Sequence, residues 1–150
     1  MTERFKLIAA AHMLVFKDGA VLLHKRMNTG YEDGNYSVPA GHHDPGEPMT
    51  RTATRELEEE TGIVASEADM EFGCAMHRIQ PSGRESVDYF FIVKKWTGAP
   101  ENREPDRCAE LAFYPLEHMP KNVIPYIREG IAASTQGRKM VQYGWDDTAA

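Results

Sequence analysis

The chain has 150 residues, 41% of them hydrophobic, with a net charge of −6 and two cysteines. This length suits one domain with a single core, and the negative balance argues against a general nucleic-acid binder. The longest apolar run, Leu7 to Phe16, is interrupted by His12 and is too short to span a bilayer. The N-terminus carries no signal-peptide pattern, and Cys74 and Cys108 stand apart with no Cys-x-x-Cys pair, as expected of thiols kept reduced in a cytoplasm.

In chain order, Leu7–Phe16 reads as a buried strand, and Asp18-Gly19 as a hairpin turn leading into a strand over Val21–Arg26. Thr29–Asn35 is a loop with two glycines, and Tyr36–Pro39 is a short strand. Pro45-Gly46 forms a turn, after which Pro48 suits the first position of a helix, where its missing N–H costs nothing. Met49, Ala53 and Leu57, spaced by four, supply an apolar stripe for that helix. Gly62 stands where a left-handed C-terminal residue is expected, and Glu47 lies where a helix N-terminus favours negative charge. Two further strands, Glu71–Gln80 and Val87–Trp96, flank the turn Pro81-Ser82-Gly83. Ala99–Arg107 is a polar loop, Leu111–Pro115 a strand and Pro125–Ser134 a helix. Residues 136–150 read as a tail that Tyr143 and Trp145 could dock. Strands interleaved with helices suggest a sheet covered on both faces.

The chemistry is concentrated in the first helix. Glu56, Glu59 and Glu60 are spaced i, i+3 and i+4, within an arc of about 100° one turn apart. Carboxylates so placed repel each other; taken alone they are either a solvated acidic helix face or a site for a hard divalent cation that offsets the repulsion. Oxygen donors without His or Cys partners suit Mg²⁺ or Mn²⁺ rather than zinc. Glu58 projects to the opposite, solvated side. Arg55 pairs with Glu47 or orients a catalytic carboxylate.

Gly41 to Ile63 matches a known signature at Gly41, Glu47, Arg55, Glu56, Leu57, Glu59, Glu60, Gly62 and Ile63. In these positions the chain resembles the Nudix hydrolases, which cleave diphosphate linkages in nucleoside diphosphates joined to another group. Outside the motif, Gly34–His42 resembles the entry strand of MutT-type members. Glu104–Cys108, with Phe113 and Tyr114, resembles the MutT-homologue-2 branch, whose members hydrolyse nucleoside triphosphates. Together with Lys25-Arg26, the likeness runs over about residues 8–132.

The resemblance implies an α/β/α sandwich with a mixed sheet and a catalytic loop-helix-loop over residues 1–135. It implies Mg²⁺ or Mn²⁺ held by Glu56, Glu59, Glu60 and the carbonyl of Ala40, where many members have Gly. Asp44 stands where Glu is frequent. Catalytic work falls to Glu56 and Glu59, supported by Arg55 and Glu47, and one glutamate of the motif or outside it is the general base. Lys25, Arg26, Gly41, Ile124 and Tyr126 are candidate substrate contacts, the last two with Val123 as a nucleobase wall. His42, His43, Glu104 and Glu110 are further candidates, while Trp96 and Trp145 read as structural.

The expected reaction converts a nucleoside triphosphate to a monophosphate and pyrophosphate. The expected partner is a small-molecule nucleotide, neither a nucleic-acid polymer nor a membrane, with a homodimer left open and a cytoplasmic location. A Nudix hydrolase for ADP-ribose or a nucleotide sugar is the nearer alternative, and a non-catalytic nucleotide-binding module the farther one.

Overall fold

The computed structural model describes residues 2–145. Strand β1 (Ile8–Lys17) turns through Asp18-Gly19, both at positive φ, into β2 (Ala20–Arg26). The short strands β3 (Tyr36–Ser37) and β4 (Ala40–His42) lead to helix α1 (Met49–Thr61). Then come β5 (Met70–Ile79), β6 (Glu85–Val93), β7 (Cys108–Pro115), helix α2 (Pro125–Gln136) and β8 (Met140–Tyr143). The main sheet path is β3-β2-β1-β6-β5-β8, with β4 joined to β1 and β7 to β2. It is mixed, because β1–β6 and β5–β8 are parallel and the other pairs antiparallel.

Each helix closes one face. Alternate residues Ala11, Met13 and Val15 of β1 meet Ala53 and Leu57 of α1 on one side. Leu14 on the other side meets Phe90, Ile127 and Ile131, the last two from α2. This is the period-two side-chain alternation of a strand buried on both faces, and it produces the α/β/α layering expected.

Three local expectations are corrected. Pro48 is not the first helical residue but the extended N-cap of α1 (φ −70°, ψ 155°), and Gly62 closes the helix in the left-handed region at φ 76°. Ala40–His42 forms strand β4, pairing Ala40 with His12 and Gly41 with Ala11. This glycine-containing triplet has too little side-chain pattern to announce a strand. Residues 140–143 are not tail but strand β8, which extends the sheet in parallel beside β5, and the segment is docked at Trp145, whose Nε1–H donates to the His77 carbonyl at 2.9 Å. The last five residues of the expected tail lie outside the described residues.

Candidate active site at the carboxylate helix

Strand β4 and helix α1 place the motif. The β1–β4 pairing brings Gly41 against Glu56, so closely that a Cβ at position 41 would overlap Glu56 Cγ and Cδ. Next to it, the Ala40 N–H donates to Glu60 Oε2 at 3.0 Å. Glycine is needed at 41 for close approach, not for an unusual backbone angle. Glu56 borders the larger of two neighbouring clefts, about 610 Å³, and Glu60 borders the smaller, about 310 Å³.

Arg55 organises the acidic side. It donates to Glu47 at 2.7 Å, to Glu56 at 3.0 Å and to Asp44 at 3.1 Å, and stands 3.6 Å from Glu59. Glu47 also accepts from Thr52 at 2.8 Å. These bonds, that from Arg55 foremost, hold the Glu47 carboxyl below the usual carboxylate range. Burial pushes Glu56 upward against the opposing hydrogen bond of Arg55, with Glu59 adding to the rise. Glu60 is pushed well up, by burial first and then by the neighbouring carboxylates of Glu56, Glu104 and Glu59, against the pull of the Ala40 N–H. Two adjacent carboxylates made costly to ionise are a mark of a functional centre.

Glu59 is more open, with its side chain 57% exposed, and Glu58 faces solvent. Among the described residues no three acidic, imidazole or thiol groups converge on one point as the side chains stand. Glu59 points outward and Arg55 draws Glu56 Oε1 toward itself. The chemistry of the donor set nevertheless fits a hard divalent cation. It is all oxygen, it clusters negative charge, and the raised Glu56 and Glu60 are the carboxyls that a cation would relieve.

The remaining sequence candidates separate clearly. Gly41, Arg26 and Tyr126 line the larger cleft, and Arg26 borders the smaller one as well. Arg26 is partly spent on its own loop, donating to the Tyr31 carbonyl and Thr29 Oγ1. Lys25 does not reach either cleft, because the β2 register turns it toward Tyr36, 5.9 Å from the ring centroid. Ile124 is 4% exposed and packs in the core as the residue preceding α2, not in a cleft wall. Glu104 joins Glu60 in the smaller cleft, whereas Glu110 is held by the hydroxyls of Tyr36 and Tyr114. His42 borders the larger cleft, and His43 is bound to the Glu47 carbonyl. Trp96 stacks on Phe113, as suits a structural residue.

The larger cleft also contains residues the motif does not announce. His12, Ser37, Arg78, Ser86 and Asp88 are all buried and all line it. Asp88 accepts from His12 Nε2 and Arg78 Nε, each at 3.0 Å, and from Ser86 Oγ at 2.9 Å. Burial would raise the Asp88 carboxyl, but the bonds from His12 and Arg78 prevail and hold it at about 2. Their signal in the sequence was polarity on the wrong phase of an apolar strand: His12 interrupts β1, and Asp88 interrupts β6.

A model of the NUDIX domain family matches residues 6–133. The match covers most of the chain, including the carboxylate helix and the mixed α/β/α sheet, and the chain belongs to the Nudix family. The structure is similar to that of a MutT NUDIX hydrolase from Burkholderia pseudomallei, with a TM-score of 0.79 at 27% identity, over 86% of this chain and 98% of that one. The fold is also shared with a NUDIX hydrolase from Nitrosomonas europaea, at a TM-score of 0.76 and 19% identity, over 91% and 93% of the two chains. Among curated proteins, an ADP-ribose pyrophosphatase of Methanocaldococcus jannaschii is 28% identical over 108 residues, 72% of this chain and 62% of that protein. An RNA pyrophosphohydrolase of Erythrobacter litoralis is 41% identical over 61 residues, 41% of this chain and 37% of that protein. The alignments thus span less than two thirds of either curated relative.

Proposed function

We propose that the chain is a Mg²⁺- or Mn²⁺-dependent pyrophosphohydrolase that converts a nucleoside triphosphate to a monophosphate and pyrophosphate. The observation that carries this reading is the seating of Glu56 on Gly41 and Glu60 on Ala40, beside a cleft of about 610 Å³. That volume is within the usual range for a small-molecule site. Glu56, Glu59, Glu60 and the Ala40 carbonyl would hold the cation. Bound there, a divalent ion supplies charge neutralisation on the phosphoryl oxygens and a more acidic water.

The chain's own groups do the rest. Arg55 fixes Glu47 and Glu56 relative to each other. A glutamate, of the motif or outside it, takes the proton as water adds to phosphorus and the bond to the pyrophosphate oxygen breaks. Gly41 keeps the backbone of β4 close enough for phosphate to share the space with Glu56. Arg26, Arg78, Arg84 and Arg107 all border the cleft and offset the acidic character of the protein toward a polyanion.

The similarity to an ADP-ribose pyrophosphatase and an RNA pyrophosphohydrolase favours a second reading, a Nudix hydrolase for ADP-ribose or for RNA. A screen of product release over nucleoside triphosphates, ADP-ribose, nucleotide sugars and a 5′-triphosphate oligonucleotide, at one Mg²⁺ concentration, tests the choice. Nucleoside triphosphates are expected to give the highest kcat/KM. A preference of about tenfold or more for ADP-ribose, or about 1.4 kcal/mol in transition-state binding, would overturn the triphosphate assignment.

A further inference from the structure

Strands β1 and β6 run parallel, and the larger cleft occupies only their first halves, from Ile8 to His12 and from Ser86 to Asp88. At their other end, about 20 Å beyond Asp88 along β6, a separate hollow of about 500 Å³ opens on the surface. It is lined by Phe16, Lys17, Asp18, Lys94, Lys95 and Trp96. The register that sets Val15 beside Val93 brings the two short segments together. Three lysines thus share the hollow with a single carboxylate, that of Asp18, in a protein whose net charge is −6. All three are exposed, and among the described residues none forms an ion pair or a side-chain hydrogen bond. Ammonium groups gathered in this way repel each other, and a bound anion offsets the repulsion. Trp96 is half-buried, and its ring is backed by Phe113, 6.1 Å away between centroids and inclined by 19°. A fixed aromatic ring therefore stands among the cations.

We propose that this hollow is a second nucleotide site, in which Lys17, Lys94 and Lys95 hold the phosphate chain of a free nucleoside di- or triphosphate and Trp96 stacks on its base. The site is independent of the hydrolase reading. Its donors are cationic, so it holds phosphate without a metal, whereas the carboxylate helix needs a cation to do so. Lysine binds phosphate as a point charge and sets little demand on geometry. An indole stacks on any base, because every base has a π-face, so the site takes nucleotides without choosing among them. A long single strand is disfavoured, since the acidic surface beyond the three lysines repels a polyanion.

The test reads Trp96 itself. In Trp145→Phe it is the only tryptophan left, and its fluorescence is titrated in excess chelator at low salt with ATP, adenosine and a single-stranded oligoadenylate, with pyrophosphate as a competitor. ATP is expected to quench saturably with a Kd below about 1 mM. Adenosine lacks the phosphates and pyrophosphate lacks the ring, so each should bind at least about tenfold more weakly. Lys94→Gln/Lys95→Gln should weaken ATP binding at least about tenfold. No saturable quenching at millimolar ATP would overturn the proposal. So would adenosine or pyrophosphate binding as tightly as ATP, or an unchanged affinity in the double lysine variant. An oligoadenylate binding at least about tenfold tighter than ATP would overturn it too, by making the surface one for single strands. Glu60→Gln should leave the quenching as it is, and its loss there would place the signal at the carboxylate helix instead. Should Trp145→Phe not fold, the fall in ATP affinity from wild type to the double lysine variant, read by calorimetry, decides alone. Quenching without turnover on any substrate would refute the hydrolase reading and leave this site standing, and turnover without quenching would do the reverse.

Discussion

At the scale of single residues, the site depends on two close approaches. Gly41→Ala places a methyl group where Glu56 Cγ and Cδ now lie. The flexible glutamate can yield, so thermal stability should change little. Displacement of the carboxylate should lower kcat/KM by up to about a hundredfold, the scale of a roughly 1 Å misplacement. An active Gly41→Ala would show that Glu56 need not sit where β4 puts it. Glu60→Gln keeps shape and removes charge, and should cost about a hundredfold or more in rate. Glu58→Gln, on the solvent side, should cost almost nothing. Comparable losses from the two changes would mean that the working face of α1 has been misassigned. This face was legible from the sequence because a 3.6-residue period alone separates Glu58 from its neighbours. The hold of Arg55 on Glu47 and Glu56 was legible only as one of two roles, since spacing does not say which way a long side chain reaches.

At the scale of elements, the helices and longer strands follow the hydrophobic pattern, and the short edge pieces do not. Strand β4 spans only Ala40–His42, and β8 only Met140–Tyr143. Both exist because a neighbouring strand offers backbone partners, which is information no local window contains. The same holds for Lys25 and Ile124, whose directions are set by the β2 register and by the entry into α2. Packing of α2 on the sheet yields a stability expectation. Gly130 lies over Phe90 so closely that a Cβ would overlap the ring. In an open helix Gly→Ala stabilises by about 1 kcal/mol. Here Gly130→Ala should instead destabilise by about 1–3 kcal/mol through overpacking, read as a lower Tm. A raised Tm would contradict the contact.

Strands β5 and β6 contribute a buried ion pair with a pH signature. Asp88 is held at about 2 in the fold against an ordinary 3.8. A depressed carboxyl stabilises the fold fully above the unfolded value and loses that contribution as pH falls through the folded value. The contribution, of order 2 kcal/mol, should disappear between about pH 4 and pH 2. Asp88→Asn should be less stable at neutral pH and show a flatter stability profile across that window, as measured by urea unfolding. An unchanged acid limb would mean that Asp88 is not ionised in the fold.

At the scale of the whole molecule, a net charge of −6 is reconciled with a polyanionic substrate by segregation. Glutamates gather on α1, where a cation is expected, while Arg26, Arg78, Arg84 and Arg107 border the adjoining cleft. The family and the carboxylate helix were legible because the motif is local and dense. The cleft floor was not, since His12 on β1 stands 76 residues from Asp88 on β6 and meets it and Arg78 only in the sheet. The proposed reaction class thus rests on twenty-three consecutive residues from Gly41 to Ile63, whereas the cleft floor is a product of the tertiary structure.

The central claim is that cation-dependent hydrolysis occurs at these glutamates. The most direct measurement is the rate of pyrophosphate release from a nucleoside triphosphate by wild type and Glu60→Gln, in Mg²⁺, in excess chelator, and after Mg²⁺ is restored. The wild type should turn over in Mg²⁺, stop in chelator and recover, while Glu60→Gln stays at least about a hundredfold slower throughout. Undiminished wild-type turnover in excess chelator, or full activity of Glu60→Gln, would contradict it.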